Sequence, residues 1–210
     1  MKNDKDTIPR YTPAERSNHW LTAIMFFLAA LSGLAFFQPL YYPLTQLFGG
    51  GVWTRILHPF FGVAMLLSFW VMYTHFRRYN TMTPQNWEWL RRVRGMVSGD
   101  DRNMPETGKF NGGQKLLFWL MVTCLVLLLL TGIVIWRAYF SYLFPVWLIR
   151  LASLVHAASG AVLVGGIIFH IYAAIWTSES FSAMISGRVR KPWAKQHHPG
   201  WYREVTGGSK

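Results

Sequence analysis

Four long stretches of this sequence lack Asp, Glu, Lys and Arg altogether: residues 17–54, 56–76, 116–136 and 151–178. Charged residues make up only 14% of the 210, against roughly 25% in soluble domains. A helix crossing a hydrocarbon layer ~30 Å thick needs about 20 mostly apolar residues, and all four stretches qualify. A second absence argues against a soluble all-α protein. Helices of such a protein carry a polar stripe at a period of ~3.6 residues, and LLFWLMVTCLVLLLLTGIVIW, residues 116–136, carries none. Cysteine is nearly absent. The one residue, Cys124, lies mid-span; it excludes an internal disulfide and says nothing of redox compartment. Repeats of solenoid length are missing too.

These absences predict an all-α integral membrane four-helix bundle, a single domain over residues 1–210, with spans at about 18–37, 53–76, 113–136 and 147–177. The first apolar run follows a polar head containing acidic residues. It is too long for the apolar core of a signal peptide and lacks a clear small-residue cleavage site, so it reads as a retained helix. Between spans two and three, Pro84-Gln-Asn-Trp-Glu-Trp-Leu90 reads as a short amphipathic helix lying on the membrane face. The tail, residues 181–210, is polar and basic. Trp and Tyr crowd the span ends, as in interfacial belts.

A net charge of +12 is compatible with nucleic-acid binding until its placement is considered. Eighteen Lys and Arg residues lie before span one, between spans two and three or after span four; only Arg55, Arg137 and Arg150 flank the other side. The positive-inside rule then puts both termini and the 77–115 loop in the cytoplasm.

Seven histidines are present, five of them in or beside the spans. Ionisable groups at membrane depth are costly and mark functional sites. His156 and His170 share span four, fourteen residues apart. That spacing is ~21 Å of helix rise and about −40° from the same facing, so the two rings project from one face near opposite surfaces. His19 stands at the cytoplasmic end of span one, level with His170. His58 stands near the outer end of span two, level with His156. Bis-histidine haem iron takes one axial ligand from each of two helices, and depth alone pairs His19 with His170 and His58 with His156.

The residue four positions after each of these, on the same face, is small: Ala23, Gly62, Gly160 and Ala174. A flat porphyrin needs that room, although small residues also serve helix packing. His75 has Tyr79 at the corresponding place and reads as a surface histidine; His197 and His198 read as contact residues of the tail. The rival readings are a histidine proton relay in a transporter and a cofactor-free membrane anchor. A zinc site would need its ligands in one coordination sphere, which the ~21 Å spacing along span four denies.

Several segments carry a family resemblance. Arg10-Tyr-Thr-Pro-Ala-Glu-Arg-Ser-Asn-His19-Trp, Arg55-Ile-Leu-His58-Pro-Phe, Gly108-Lys-Phe-Asn111-Gly-Gly-Gln114-Lys, Gly132-Ile-Val-Ile-Trp136-Arg137 and Trp193-Ala-Lys-Gln-His-His-Pro-Gly-Trp-Tyr-Arg-Glu204 resemble the γ subunit, the cytochrome b, of respiratory membrane-bound formate dehydrogenase. The likeness runs in order over roughly residues 8–205; the 77–107 loop and the tail after Glu204 look variable. The cytochrome b subunits of hydrogenase and thiosulfate reductase share the four-histidine scaffold and are the close rivals. The His-His-Pro tail and the Asn111 segment favour the formate enzyme.

The resemblance implies two haem b groups in a bacterial inner membrane: an outer one on His58 and His156, an inner one on His19 and His170. It implies menaquinone reduction on the cytoplasmic side, among Asn111, Gly113, Gln114 and His170. It also implies electrons arriving from an iron–sulfur β subunit, fed by a molybdenum- or tungsten-dependent α subunit outside. Such a path stores energy, because moving one electron inward against ~100 mV costs about 2.3 kcal/mol. Asn111 and Gln114 are the non-basic polar side chains at the entry to span three. They either hydrogen-bond a quinone carbonyl or, for Asn111, cap the helix. Arg55, Arg137 and Arg150 either pair with propionates of the outer haem or anchor the chain at the interface.

Overall fold

The computed structural model describes residues 6–98 and 104–207, excepting the side chains of Met96 and Val97. Of the basic residues counted above, Lys2, Lys5, Arg102 and Lys210 lie outside the described residues. Four helices are long and apolar enough to cross a membrane: α1 (Pro13–Phe37), α2 (Gly51–Phe76), α4 (Gly112–Ile135) and α5 (Val146–Trp176). Between α2 and α4 lies α3 (Pro84–Val97). A short strand β1 (Thr7–Pro9) precedes α1, and α5 is followed by α6 (Ser180–Ser186), β2 (Arg188–Arg190), α7 (Lys191–His197) and α8 (Pro199–Thr206). The architecture is the expected all-α membrane bundle, with one addition, a two-stranded antiparallel ribbon pairing Thr7 with Arg190 and Pro9 with Arg188.

Helix starts follow from local chemistry. The first helix begins five residues earlier than the apolar run suggests, because Thr12-Pro-Ala-Glu15 is a capping box. The Thr12 amide donates to Glu15 Oε2 (2.8 Å) and the Glu15 amide to Thr12 Oγ1 (3.2 Å), with Pro13 at the first helical position. Helix α4 starts on the same device, the amides of Asn111 and Gln114 donating to each other's side-chain oxygens at 3.0 and 2.9 Å.

The chain clusters into two compact units, with each long helix running from one into the other. The first contains residues 17–73 and 120–169. All four long helices meet in its core, through Phe26 of α1, Met65 and Phe69 of α2, Cys124 and Leu125 of α4 and Leu163 of α5. Only 17–22% of the most apolar window of each span is buried, so the remaining apolar surface is left for lipid. Near the start of α1, Asn18 Nδ2 donates to the Ser68 carbonyl (3.1 Å) and the Thr22 and Ser68 hydroxyls meet at 2.6 Å, lashing α1 to α2. Between these helices a 3-10 segment, Pro39–Phe48, ends at Gly49 and Gly50, whose φ angles of 86° and 96° favour glycine.

The second unit gathers the described parts of residues 1–16, 74–119 and 170–210. Its core is Ile8, Ala183, Val189, Trp193, Ala194 and Trp201. The tail read only as polar and basic from sequence is therefore folded. Arg10 is 5% exposed, and its guanidinium carbon sits 4.8, 5.3 and 5.5 Å from the ring centres of Trp201, Trp193 and Tyr11, a cation–π cage. Its Nη2 donates to the Lys109 carbonyl (2.8 Å) and lies 3.2 Å from His198 Nε2. Arg only donates, so His198 Nε2 accepts and Nδ1–H donates to the Gly108 carbonyl (2.9 Å). At the surface Arg203 pairs with Glu106, and Arg190 with Glu179.

Burial, then the Arg10 cation, push the His198 imidazole down to about 3, outweighing the Gly108 carbonyl that favours the charged form. A histidine held neutral stabilises the fold fully above its ordinary value near 6.5, and that stability drains as pH falls toward about 3. Between pH 7 and 5 the expected loss is about 2 kcal/mol. Protection factors across residues 188–204, with the tenfold-per-unit fall in intrinsic exchange divided out, should drop roughly 30-fold over that interval in the wild type, and constant protection factors would contradict the buried neutral ring.

Candidate functional site

Within the first unit His58 of α2 and His156 of α5 face each other. Their ring centres are 6.2 Å apart and the ring planes cross at 75°. Each Nδ1 is held by a hydroxyl: His58 by Ser32 Oγ of α1 at 2.9 Å, His156 by Thr131 Oγ1 of α4 at 2.9 Å. That leaves Nε2 of each ring to ligate. Two imidazoles on one metal atom need bonds of roughly 2.0–2.1 Å. With roughly 1.1 Å more from each nitrogen to its ring centre, the centres fall about 6.3 Å apart in a linear arrangement. The observed spacing fits that geometry. It also fits the plate a haem requires, because a Cβ built on Gly62 meets nothing within 4 Å, and one on Gly160 meets only Leu128 Cδ2 at 3.9 Å. The residues present therefore suit a haem with two axial histidines.

His19 lies in α1 within the first unit, half-buried, its ring edge-on to Trp20 at 5.4 Å. His170 lies in α5 within the second unit, half-buried. Ala23 and Ala174, one turn on from each, are half-buried as well. His75 is exposed, as its surface reading requires, and so are Arg55, Arg137 and Arg150.

The Asn111 segment belongs to the second unit. Asn111 caps α4, its Oδ1 accepting the Gln114 amide while Gln114 Oε1 accepts the Asn111 amide. Gly112 and Gly113 let α3 pack on the start of α4. A Cβ on Gly112 would lie 2.6 Å from the Asn86 carbonyl oxygen, and one on Gly113 would lie 3.1 Å from Trp89 Cζ3. Lys115, buried, donates from Nζ to the Thr81 carbonyl (3.0 Å) and to Asn86 Oδ1 (2.9 Å). The tail holds the residues just before this segment. Thr107 Oγ1 donates to the His197 carbonyl (2.8 Å) and the Gly200 amide to the Thr107 carbonyl (3.1 Å). His198 and Arg10 take the carbonyls of Gly108 and Lys109. Lys109 itself is shifted toward deprotonation, chiefly by burial.

Sequence reasoning missed Ser32, Thr131, Arg10 and the inward role of His198. The first two carried no distinguishing signal, because a hydroxyl inside an apolar run bonds by default to a carbonyl of its own helix.

Comparison with known proteins gives a consistent result. The profile of prokaryotic cytochrome b561 matches residues 10–187. The formate dehydrogenase cytochrome b556(fdo) subunit of Escherichia coli strain K12 is 44% identical over 201 residues, 96% of this chain and 94% of that one. The nitrate-inducible cytochrome b556(Fdn) subunit of the same strain is 42% identical over 191 residues, 91% and 88% of the two chains. The formate dehydrogenase cytochrome b556 subunit of Haemophilus influenzae is 39% identical over 204 residues, 97% and 85%.

The cap at Asn111 has a measurable consequence. Asn111→Ala should destabilise the chain by about 1 kcal/mol, or roughly 2–4 °C in Tm for a chain of this size. Asn111→Ser, which keeps a capping oxygen, should stay within a few tenths of a kcal/mol. Thermal unfolding in detergent distinguishes the two, and an unchanged Tm in Asn111→Ala would remove the cap from the account.

Proposed function

This chain belongs to the prokaryotic cytochrome b561 family, among the cytochrome b556 subunits of formate dehydrogenase, and from that premise we propose that it is the membrane subunit that delivers electrons from formate oxidation to a quinone. The observation carrying this reading is the His58–His156 pair, 6.2 Å between ring centres with both Nδ1 atoms bonded to hydroxyls. Haem b bound at two such pairs supplies one-electron carriage across the bilayer. His58 and His156 hold the outer group; His19 and His170 hold the inner one. The second pair is supported by matched depth along the spans and by the family resemblance. Ala23, Gly62, Gly160 and Ala174 keep space for the two plates.

A quinone, menaquinone by the resemblance, is reduced on the cytoplasmic side among Asn111, Gly113, Gln114 and His170. Capping occupies the side-chain oxygens and backbone N–H groups of Asn111 and Gln114, so Asn111 Nδ2 and Gln114 Nε2 are the donors offered to a quinone carbonyl. Two protons enter there from the cytoplasm while formate releases its own outside, and the inward electron movement adds to the proton motive force. The eighteen-to-three distribution of Lys and Arg supports cytoplasmic termini in a bacterial inner membrane. The partners are an iron–sulfur β subunit and a molybdenum- or tungsten-containing α subunit outside.

Purified complex should contain two haem b per copy of this chain by pyridine haemochrome assay. His58→Ala should lose one and His170→Ala the other; a colourless wild-type preparation sinks the reading. Asn111→Ser, with its cap kept, should lower kcat/KM for quinone about tenfold, the effect of losing one well-placed hydrogen bond. An unchanged value would move the quinone site elsewhere.

A further inference from the structure

Two dipeptides in the first unit repeat one arrangement. In α1, Ser32-Gly33 meets His58; in α4, Thr131-Gly132 meets His156. Each hydroxyl has a single proton, and each spends it on its own helix. Ser32 Oγ donates to the Leu28 carbonyl at 2.7 Å, and Thr131 Oγ1 to the Leu127 carbonyl at 2.6 Å. The hydroxyl oxygen must therefore accept from the ring, so Nδ1 of both histidines carries the proton.

The glycines set a second coordinate. A Cβ on Gly33 would stand 3.0 Å from His58 Cε1, and one on Gly132 would stand 3.4 Å from His156 Cε1. At position 33 a methyl would make the His58 ring edge give by a few tenths of an ångström, while at position 132 it would stand in van der Waals contact with the edge of the His156 ring.

We propose that Ser32-Gly33 and Thr131-Gly132 are matched positioning devices for the two axial ligands. The hydroxyl fixes the tautomer and the ligand strength of each imidazole, and the glycine fixes its plane. This rests on the haem reading above. A ring that donates from Nδ1 is a more basic ligand through Nε2, and a more basic ligand favours oxidised over reduced iron. The hydroxyls therefore hold the potential of this haem down. On a haem held by this pair, the steep 75° crossing of the ring planes would leave two iron d orbitals nearly degenerate and give a low-spin signal with a large maximal g value.

The test is redox titration and electron paramagnetic resonance on the whole complex. Ser32→Ala and Thr131→Val should each raise the midpoint potential of one haem and leave the other unmoved; Ser32→Thr and Thr131→Ser should restore it. Gly33→Ala should lower the maximal g value of the same haem, more than Gly132→Ala does. Should Ser32→Ala lose that haem while Ser32→Thr keeps it, the hydroxyl requirement holds equally, and the near-isosteric Thr131→Val decides the potential. Unchanged potentials in both Ser32→Ala and Thr131→Val, with His58→Ala still losing one haem, overturn this inference alone. Retention of both haems by His58→Ala overturns the ligand assignment and this inference with it.

Discussion

An imidazole inside hydrocarbon has no water to bond, so its polar atoms must be satisfied by protein or by a ligand. That demand organises the first unit around His58 and His156. Each ring brings two nitrogens into a bundle whose core is otherwise mostly Phe, Met and Leu. One nitrogen of each is bonded to a hydroxyl on the neighbouring helix. The ring centres stand 6.2 Å apart, a spacing that suits two imidazoles on a single metal atom. A pair of histidines that merely bridged helices would bond to each other or to separate carbonyls. Bonding at both Nδ1 positions instead leaves matching Nε2 atoms as the chemistry of the layer. The apolar core beneath, from Phe26 to Leu163, supplies rigidity and takes no part in recognition.

The second unit answers a different constraint. A buried guanidinium without a carboxylate is expensive, and Arg10 meets that cost with three aromatic faces and two acceptors rather than an ion pair. The arrangement draws together three chain segments distant in sequence: the strand before α1, residues 107–109 and the tail. The loop entering α4 is consequently fixed by hydrogen bonds to the carbonyls of Thr107, Gly108 and Lys109, immediately before the capping box at Asn111. A pre-formed cap of this sort positions the polar side chains of a binding site without needing them to reorganise.

The sequence disclosed what depends on long-range averages. Four charge-free runs forced four spans, and the structure moves an end by more than two residues only at the start of the first, where the Thr12 cap intervenes. The histidine pairing could be proposed because helix rise converts residue number into depth, and within one unit the His58 and His156 ring centres stand 6.2 Å apart. What stayed hidden depends on rotation and on single atoms. Ser32 and Thr131 were illegible because a hydroxyl in a span has its own carbonyl four residues back as the default partner. Only the facing ring makes it more than that. The tail was opaque for another reason: α6, α7 and α8 span seven or eight residues each, too short for periodicity to declare itself. His198 read as a contact residue of the tail because nothing in His-His-Pro reveals that one ring turns inward to Arg10.

The repeat at the histidine layer also implies how the layer is put together. The hydroxyl precedes its histidine by 26 residues in one case and 25 in the other. Both times the hydroxyl is on the first helix of a consecutive pair and the histidine on the second. Ring tautomer and ring plane are thus determined inside each helix pair, α1 with α2 and α4 with α5, by a bond of short sequence separation. The distance between rings depends on the approach of the two pairs. Local contacts of this kind form before distant ones because they close shorter loops. Each half can therefore present a correctly oriented imidazole before the halves meet, and a group ligated by both rings would join two surfaces already arranged for it. The low ordering cost at that moment is what preorganisation means for a metal site.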